Sequence, residues 1–191
     1  KRARSTVEAH VKSHHAHLVP APQRKPRTYR RFRRAKIGEL YQHDSSIHQW
    51  WPAPEKQYFL LTVDDHSGRN VAGSFVSAET TWNHFQHFRR AFEVHGLPEA
   101  IYTDGLSLSG SSPSTDNGDP KNQFQRALRG LGVAHLVAPT PQAKGKIERR
   151  FGAFQKRMVT LLAHAKAKTY ELADEILQME IIRQNRTKQR N

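Results

Sequence analysis

The pattern of hydrophobic and polar positions changes at about residue 37. Before it, apolar residues are scattered without a period among Lys, Arg, His and Pro; after it they fall into the two-residue and 3.6-residue repeats of strands and helices. Residues 37–44 read as a first strand ending in Asp44. Gln57 to Val63 is a near-continuous apolar run of strand length, rich in Thr, Val and aromatics, and reads as a buried strand. Asp64-Asp65-His66-Ser67-Gly68-Arg69 is turn chemistry, and Asn70 to Val76 completes a three-strand meander. Residues 77–96 predict a helix capped by Thr80 or Thr81. Its apolar stripe is Trp82, Phe85, Phe88, Ala91, Phe92 and Val94, and Gly96 and Pro98 stop it. Ala100 to Thr103 is a short strand leading into Asp104, and residues 105–120 form a long loop of Ser, Gly, Pro and Asp. A helix over 122–131, a strand over 133–137, a helix from Lys144 or Gly145 to Ala165 and a last helix from Tyr170 to Arg183 follow.

Three antiparallel strands and then alternating helices and strands are what an α/β fold of the RNase H-like type requires: a five-stranded mixed sheet with flanking helices. The domain organisation expected is a short helix and basic arm over 1–36, the core over 37–185 and a polar tail over 186–191. Ser5-Thr6-Val7-Glu8 fits a capping box that opens a helix to about His17, the possible end of a helix-turn-helix unit. Because residue 1 is Lys, the sequence is expected to be a piece of a longer polypeptide. His10 and His14 have the spacing of a metal pair, but no second pair follows, so they are assigned to a solvated face and no zinc is expected.

Charge sharpens this picture. The 191 residues carry 31 Lys and Arg against 17 Asp and Glu, a net charge of +14. Residues 1–36 hold 12 of the cations and one acid, Glu8, so the basicity is segmental. A run such as Arg27, Arg30, Arg31, Arg33 and Arg34 cannot be buried, and its arginines favour bidentate contacts with a phosphate backbone. A localisation signal, an anionic-lipid patch or a plain linker has the same composition. No run approaches the ~18 apolar residues of a membrane span and no secretory signal is visible, so a cytoplasmic protein with no membrane partner is expected. With no Cys there is no thiolate for a metal, which must sit on carboxylate, imidazole or water.

Asp44, Asp64, Asp65, Asp104, Asp116, Asp119 and Glu148 are the acids to compare. Asp44 and Asp104 end predicted strands, and Glu148 lies one turn into a helix with otherwise basic surroundings. If the first and fourth strands are neighbours, their ends bring Asp44 and Asp104 together, and the helix after the fifth strand can add Glu148. Three such carboxylates repel one another and require cations, and hard oxygen donors select Mg²⁺, with Mn²⁺ as a substitute. Two such ions ~3.5–4 Å apart suit in-line phosphoryl transfer. Asp64 and Asp65 read as hairpin residues, and Trp50 and Trp51 as packing residues.

The segments Gly38-Glu39-Leu40-Tyr41-Gln42-His43-Asp44-Ser45, Leu61-Thr62-Val63-Asp64-Asp65-His66-Ser67-Gly68-Arg69, Tyr102-Thr103-Asp104-Gly105 and Pro141-Gln142-Ala143-Lys144-Gly145-Lys146-Ile147-Glu148-Arg149 together resemble the catalytic core of D-D-E transposases of the retroviral integrase superfamily, bacterial insertion-sequence transposases of the ISNCY type in particular. The resemblance covers about residues 37–185. It implies an RNase H-like fold, a catalytic and metal-binding triad of Asp44, Asp104 and Glu148, two Mg²⁺ ions, and donor-end cleavage followed by transfer of a DNA 3′-hydroxyl into target DNA. It also implies that the protein works in the bacterial cytosol as a multimer on transposon ends and target DNA. The sequence departs from retroviral integrases in reading Gly105-Leu106 after Asp104 and in the 43 residues between Asp104 and Glu148. Asp104 therefore has Asp116 and Asp119 as outside alternatives. Gln142, Lys144, Lys146, Arg149 and Arg150 are expected to contact DNA, with Lys156 and Arg157 extending the positive charge along the same helix. Two other readings stay open: an RNase H-like nuclease without strand transfer, and a non-catalytic DNA-binding assembly module.

Overall fold

The computed structural model describes residues 34–104, 123–137 and 145–188, together with 9, 10, 13 and 14. The chain falls into two compact units, Lys1–Phe32 and Arg33–Asn191. In the first, the described residues are helical, and the rings of His10 and His14 stack at 4.5 Å. Arg27, Arg30, Arg31, Arg33, the 105–120 loop with Asp116 and Asp119, Gln142 and Lys144 lie outside the described residues. Among those described, no helix is long and apolar enough to cross a membrane.

The second unit is built on strands β1 (Tyr41–His48), β2 (Gln57–Asp64), β3 (Asn70–Val76), β4 (Ala100–Thr103) and β5 (Ala134–Val137). Its helices are α1 (Thr81–His95), α2 (Gln123–Gly130), α3 (Gly145–His164) and α4 (Tyr170–Lys188). The strands form one sheet in the order β3-β2-β1-β4-β5. The meander pairs are antiparallel, and β1–β4 and β4–β5 are parallel. This is the RNase H-like mixed sheet expected from the order of elements.

Strand alternation gives each face of the sheet its own core. Phe59, Leu61 and Val63 of β2 point to one face, where they meet Ile147, Phe151, Phe154 and Met158 of α3 and Leu177 and Ile181 of α4. Tyr41, Ile101 and Val71 point to the other, against Phe88 and Ala91 of α1 and Phe124 and Leu128 of α2. Val71 reaches that face because a register shift opposite Thr62 and Val63 leaves it unpaired between Asn70 and Ala72. Trp50 and Trp51 are buried packing residues, as expected, with Trp50 edge-on to Phe59.

The structure corrects three boundaries or faces. The first strand does not run over 37–44. Gly38 has a φ of 85°, a turn conformation that suits glycine, and β1 starts at Tyr41 and continues to His48 because β2 pairs with all eight of its residues. Asp44 is thus a mid-strand residue. The stripe of α1 is rotated: its buried residues are His84, His87, Phe88 and Ala91, while Trp82 and Val94 are 67% and 74% exposed. The last helix runs past Arg183 to Lys188, so the start of the expected polar tail is helical.

α4 also closes the outer edge of the sheet. Asp174 Oδ1 accepts the Phe75 amide at 3.0 Å, Gln178 Nε2 donates to the Gly73 carbonyl at 3.0 Å, and Asn185 exchanges two hydrogen bonds with the backbone of Asn70. These side chains satisfy edge groups that would otherwise invite another strand. Such close approach needs Gly73, where a Cβ would meet Ile181 Cδ1 at 2.7 Å and Phe59 Cε2 at 3.2 Å. Gly73→Val is expected to destabilise the fold by about 1–3 kcal/mol through overpacking. Urea unfolding measures this, and an unchanged midpoint would show that α4 can step back without cost.

Candidate active site

Asp44 lies opposite Leu61 in the β1–β2 register, and Leu61 packs on the α3 face, so Asp44 belongs to that face. Gln42, two residues earlier, shares it. The parallel register pairs Gln42 with Tyr102. Continuing it two residues sets Asp104, just past the end of β4, beside Asp44 on the same face. Both acids are half-buried.

Glu148 stands in the first turn of α3 and is exposed. At about 100° per residue, Ile147, Phe151, Phe154, Met158 and Leu162 make the buried stripe, which leaves Lys146, Arg150 and Arg157 on one flank and Glu148 on the other. Lys146 Nζ donates to Asp65 Oδ1 at 2.7 Å and to the Asp65 carbonyl. Arg150 donates to the Gly68 carbonyl at 2.9 Å, and Arg157 to Glu180 at 2.9 Å. Arg149 and Lys156 lie on the outward, exposed side of the helix. Sequence reasoning treated these cations as one set; the structure divides them by helical angle.

Asp65 is a residue whose part the sequence did not reveal. It is buried, and burial alone would raise its carboxyl pKa, but hydrogen bonds from Lys146, the Arg34 amide and Gln42 hold it below the usual carboxylate value. Gln42 Nε2 donates to its Oδ1 at 2.6 Å. Asp64, beside it, is the turn residue expected, accepting the amide and hydroxyl of Ser67 at 2.6 Å each. An aspartate doublet after a strand reads as turn chemistry in either case, and nothing local distinguishes the member that pairs with a lysine 81 residues away.

Among the described residues, no group of three or more His, Asp or Glu side chains is close enough to share a metal ion. The topology sets Asp44 beside Asp104 and puts Glu148 on the helix covering that face, but does not gather the three into a cage. Their chemistry, three hard oxygen donors with no thiolate, fits Mg²⁺ or Mn²⁺.

Beneath the site, on the opposite face, lies a buried histidine network. His43 pairs through Nδ1 with Thr62 at 2.9 Å and through Nε2 with His84 at 3.0 Å; His87 pairs with Thr62 at 2.8 Å and Ser74 at 3.0 Å. Burial above all, then the nearby His84 and Arg90, lowers the His87 pKa to about 3. The unfolded chain takes up this proton near pH 6.5 and the folded chain only near 3, so the stability from neutral burial is full above pH 6.5 and is lost as pH falls towards 3. Between pH 7.5 and 5 the wild type is expected to lose about 2 kcal/mol more than His87→Gln. Urea midpoints at the two pH values measure this, and parallel losses would contradict it.

No protein-family model matches the chain. It is 34% identical over 131 residues to a putative transposase, y4bF, of Sinorhizobium fredii, across 68% of this chain and 29% of the relative. It is 32% identical over 149 residues to the transposase for insertion sequence IS1202 of Streptococcus pneumoniae, across 76% of this chain and 32% of the relative. The chain therefore spans less than a third of the length of either. In fold it is similar to the simian T-cell lymphotropic virus intasome in complex with PP2A regulatory subunit B56 gamma, with a TM-score of 0.62 at 20% identity over 92% of this chain and 59% of that one. It is also similar to the HTLV-2 integrase catalytic core domain in complex with magnesium, in its trimeric form, with a TM-score of 0.54 at 20% identity over 72% of this chain and 80% of that one.

Proposed function

We propose that this chain, a member of the D-D-E transposase and integrase superfamily, is the catalytic core of a DNA transposase that cleaves the ends of a mobile element and joins them to target DNA. The observation that supports this reading is the parallel β1–β4 register, which, continued two residues past its Gln42–Tyr102 pair, brings Asp104 next to Asp44 on the face covered by the helix whose first turn holds Glu148. That is where polynucleotidyl transfer needs its acids.

Asp44, Asp104 and Glu148 would hold two Mg²⁺ ions, or Mn²⁺ in their place. When bound, the ions offset the repulsion among the carboxylates and supply Lewis acidity towards the scissile phosphate. Water breaks the phosphodiester at the element end and leaves a DNA 3′-hydroxyl. That hydroxyl then displaces the 3′-oxygen of a target phosphodiester, so one bond forms as one breaks and no protein-linked intermediate is required. Arg149 and Lys156, outward on α3, meet phosphates beside the site; Gln142 and Lys144 approach DNA just before the helix. Arg27, Arg30, Arg31, Arg33 and Arg34 contact the phosphate backbone. Lys146 and Arg150, turned towards Asp65 and Gly68, act on the helix rather than on DNA. Several copies of the chain assemble on the element ends.

The test is incubation of the purified chain with Mg²⁺ or Mn²⁺ and DNA carrying the element's terminal sequences. Nicking at the end followed by joining to a second duplex is the expected result. Nicking without joining would favour a nuclease, and metal-independent binding with no nicking would favour a non-catalytic assembly module.

A further inference from the structure

Asp65 accepts hydrogen bonds from two side chains, and each donor stands two residues before a proposed catalytic acid. Gln42 precedes Asp44 on β1, and Lys146 precedes Glu148 on α3. On a strand, two residues return to the same face about 6.6 Å further on. On a helix, two residues rotate by about 200°, from the flank that grips the turn to the flank that carries Glu148. One buried carboxylate thus fixes the strand bearing one acid and the helix bearing another.

The grip has a second point. One turn beyond Lys146, Arg150 donates to the Gly68 carbonyl of the same β2–β3 turn. Gly68 has a φ of 67°, and a Cβ there would stand 3.3 Å from the Arg150 guanidinium, so the turn is shaped to receive it. Two ties on one flank, at successive turns, fix the rotation of α3 about its own axis. The buried stripe alone leaves that rotation less well defined, since Ile147 and Phe151 are apolar and tolerate small turns of the helix. The Lys146 side chain is 21% exposed and the Asp65 side chain 6%, so the pair is shielded from solvent far more than an ordinary surface ion pair.

We propose that Asp65 and Lys146 are positioning residues, which set the direction of Glu148 relative to Asp44 and so the ability of the acids to share a metal pair. The inference rests on the transposase reading of the triad. The aspartate doublet at the β2–β3 turn is thereby divided: Asp64 holds the turn and Asp65 holds the active-site helix.

The test uses the full 191-residue chain and its Lys146→Met, Lys146→Arg and Asp65→Asn variants, with three measurements: Mn²⁺ affinity, DNA end cleavage, and amide exchange over residues 146–150. Lys146→Met is expected to weaken Mn²⁺ binding and lower kcat by about 10–100-fold with little change in the KM for DNA, the scale seen when supporting residues of a metal site are removed. Exchange in the first turn of α3 should speed up while the rest of the helix stays protected. Lys146→Arg should recover most of the loss, and adding Asp65→Asn to Lys146→Met should cost little more than either alone, because the two act as a unit. Unchanged exchange at residues 146–150 in Lys146→Met overturns the inference whatever the chain's activity, and so does unchanged Mn²⁺ affinity in a variant whose parent binds Mn²⁺. A wild type that neither binds Mn²⁺ nor cuts DNA, but whose first turn loosens in Lys146→Met, overturns the transposase reading and leaves the grip on the helix standing.

Discussion

Asp44→Asn, Asp104→Asn and Glu148→Gln are each expected to reduce DNA end cleavage by about 10³-fold or more. The amides keep the size of the acids and remove the charge that holds a divalent cation. Losing several kcal/mol of transition-state stabilisation corresponds to that factor, since each 1.36 kcal/mol is tenfold in rate. The fold should not suffer: Glu148 is exposed, Asp44 and Asp104 are half-buried, and none belongs to either hydrophobic cluster. The three variants should therefore unfold at wild-type denaturant concentrations and still bind DNA. Cleavage by all three at the wild-type rate would remove the triad. Cleavage retained by Asp104→Asn alone would point to Asp116 or Asp119 as the second acid.

Phe59→Ala is expected to cost about 3–5 kcal/mol, a large share of the roughly 5–15 kcal/mol that holds a domain of this kind together. Phe59 is fully buried at the centre of the α3 face. Its ring packs against Trp50 at 5.3 Å, Phe75 at 5.2 Å, Phe151 at 5.5 Å and Phe154 at 5.0 Å between centroids. Those partners come from the segment just after β1, from β3 and from two turns of α3, so truncation opens a void that no single element can fill by moving. Phe59→Leu should cost markedly less. Equilibrium urea unfolding distinguishes the two, and an alanine variant within about 1 kcal/mol of wild type would mean that α3 collapses into the space. Were α3 to collapse in this way it would carry Glu148 with it, and activity would fall while far-ultraviolet circular dichroism stayed unchanged.

How far the sequence could be read depended on the range of the force that decides each feature. The β2 run and the capping of α1 follow from local chemistry: the apolar residues of Gln57 to Val63, the Thr80 cap that accepts the Asn83 amide, and Gly96 at the end, although the helix starts at Thr81 and not at 77 because the cap leaves residues 77–80 outside it. β1 was misplaced because Ser45, Ser46 and His48 have little strand character of their own and are held extended by their β2 partners. The α1 face was misread because periodicity counts apolar residues. His84 and His87 are interior here only because Thr62, Ser74 and His43 supply hydrogen bonds from three different strands. Asp44 and Asp104 stand out in the sequence as strand-end acids and Glu148 as a helix-start acid, but Asp44 lies mid-strand, and only the parallel β1–β4 register, continued two residues, relates it to Asp104. The Asp65–Lys146 contact was not visible, since an ion pair across most of the domain leaves no local pattern.

The sheet order also has a temporal meaning. β1 and β2 are joined by a short connection, and their pairing closes a small loop, whereas β1 meets β4 only by bringing residue 41 to residue 101. Longer closures cost more chain entropy and tend to come later in folding. By the same rule α3, with Glu148, is expected to dock on the meander later still. The three acids are thus supplied by an early hairpin, a later crossover and a final helix. The proposed constellation is completed only when α3 docks, and a folding intermediate that holds the meander alone would lack its third acid.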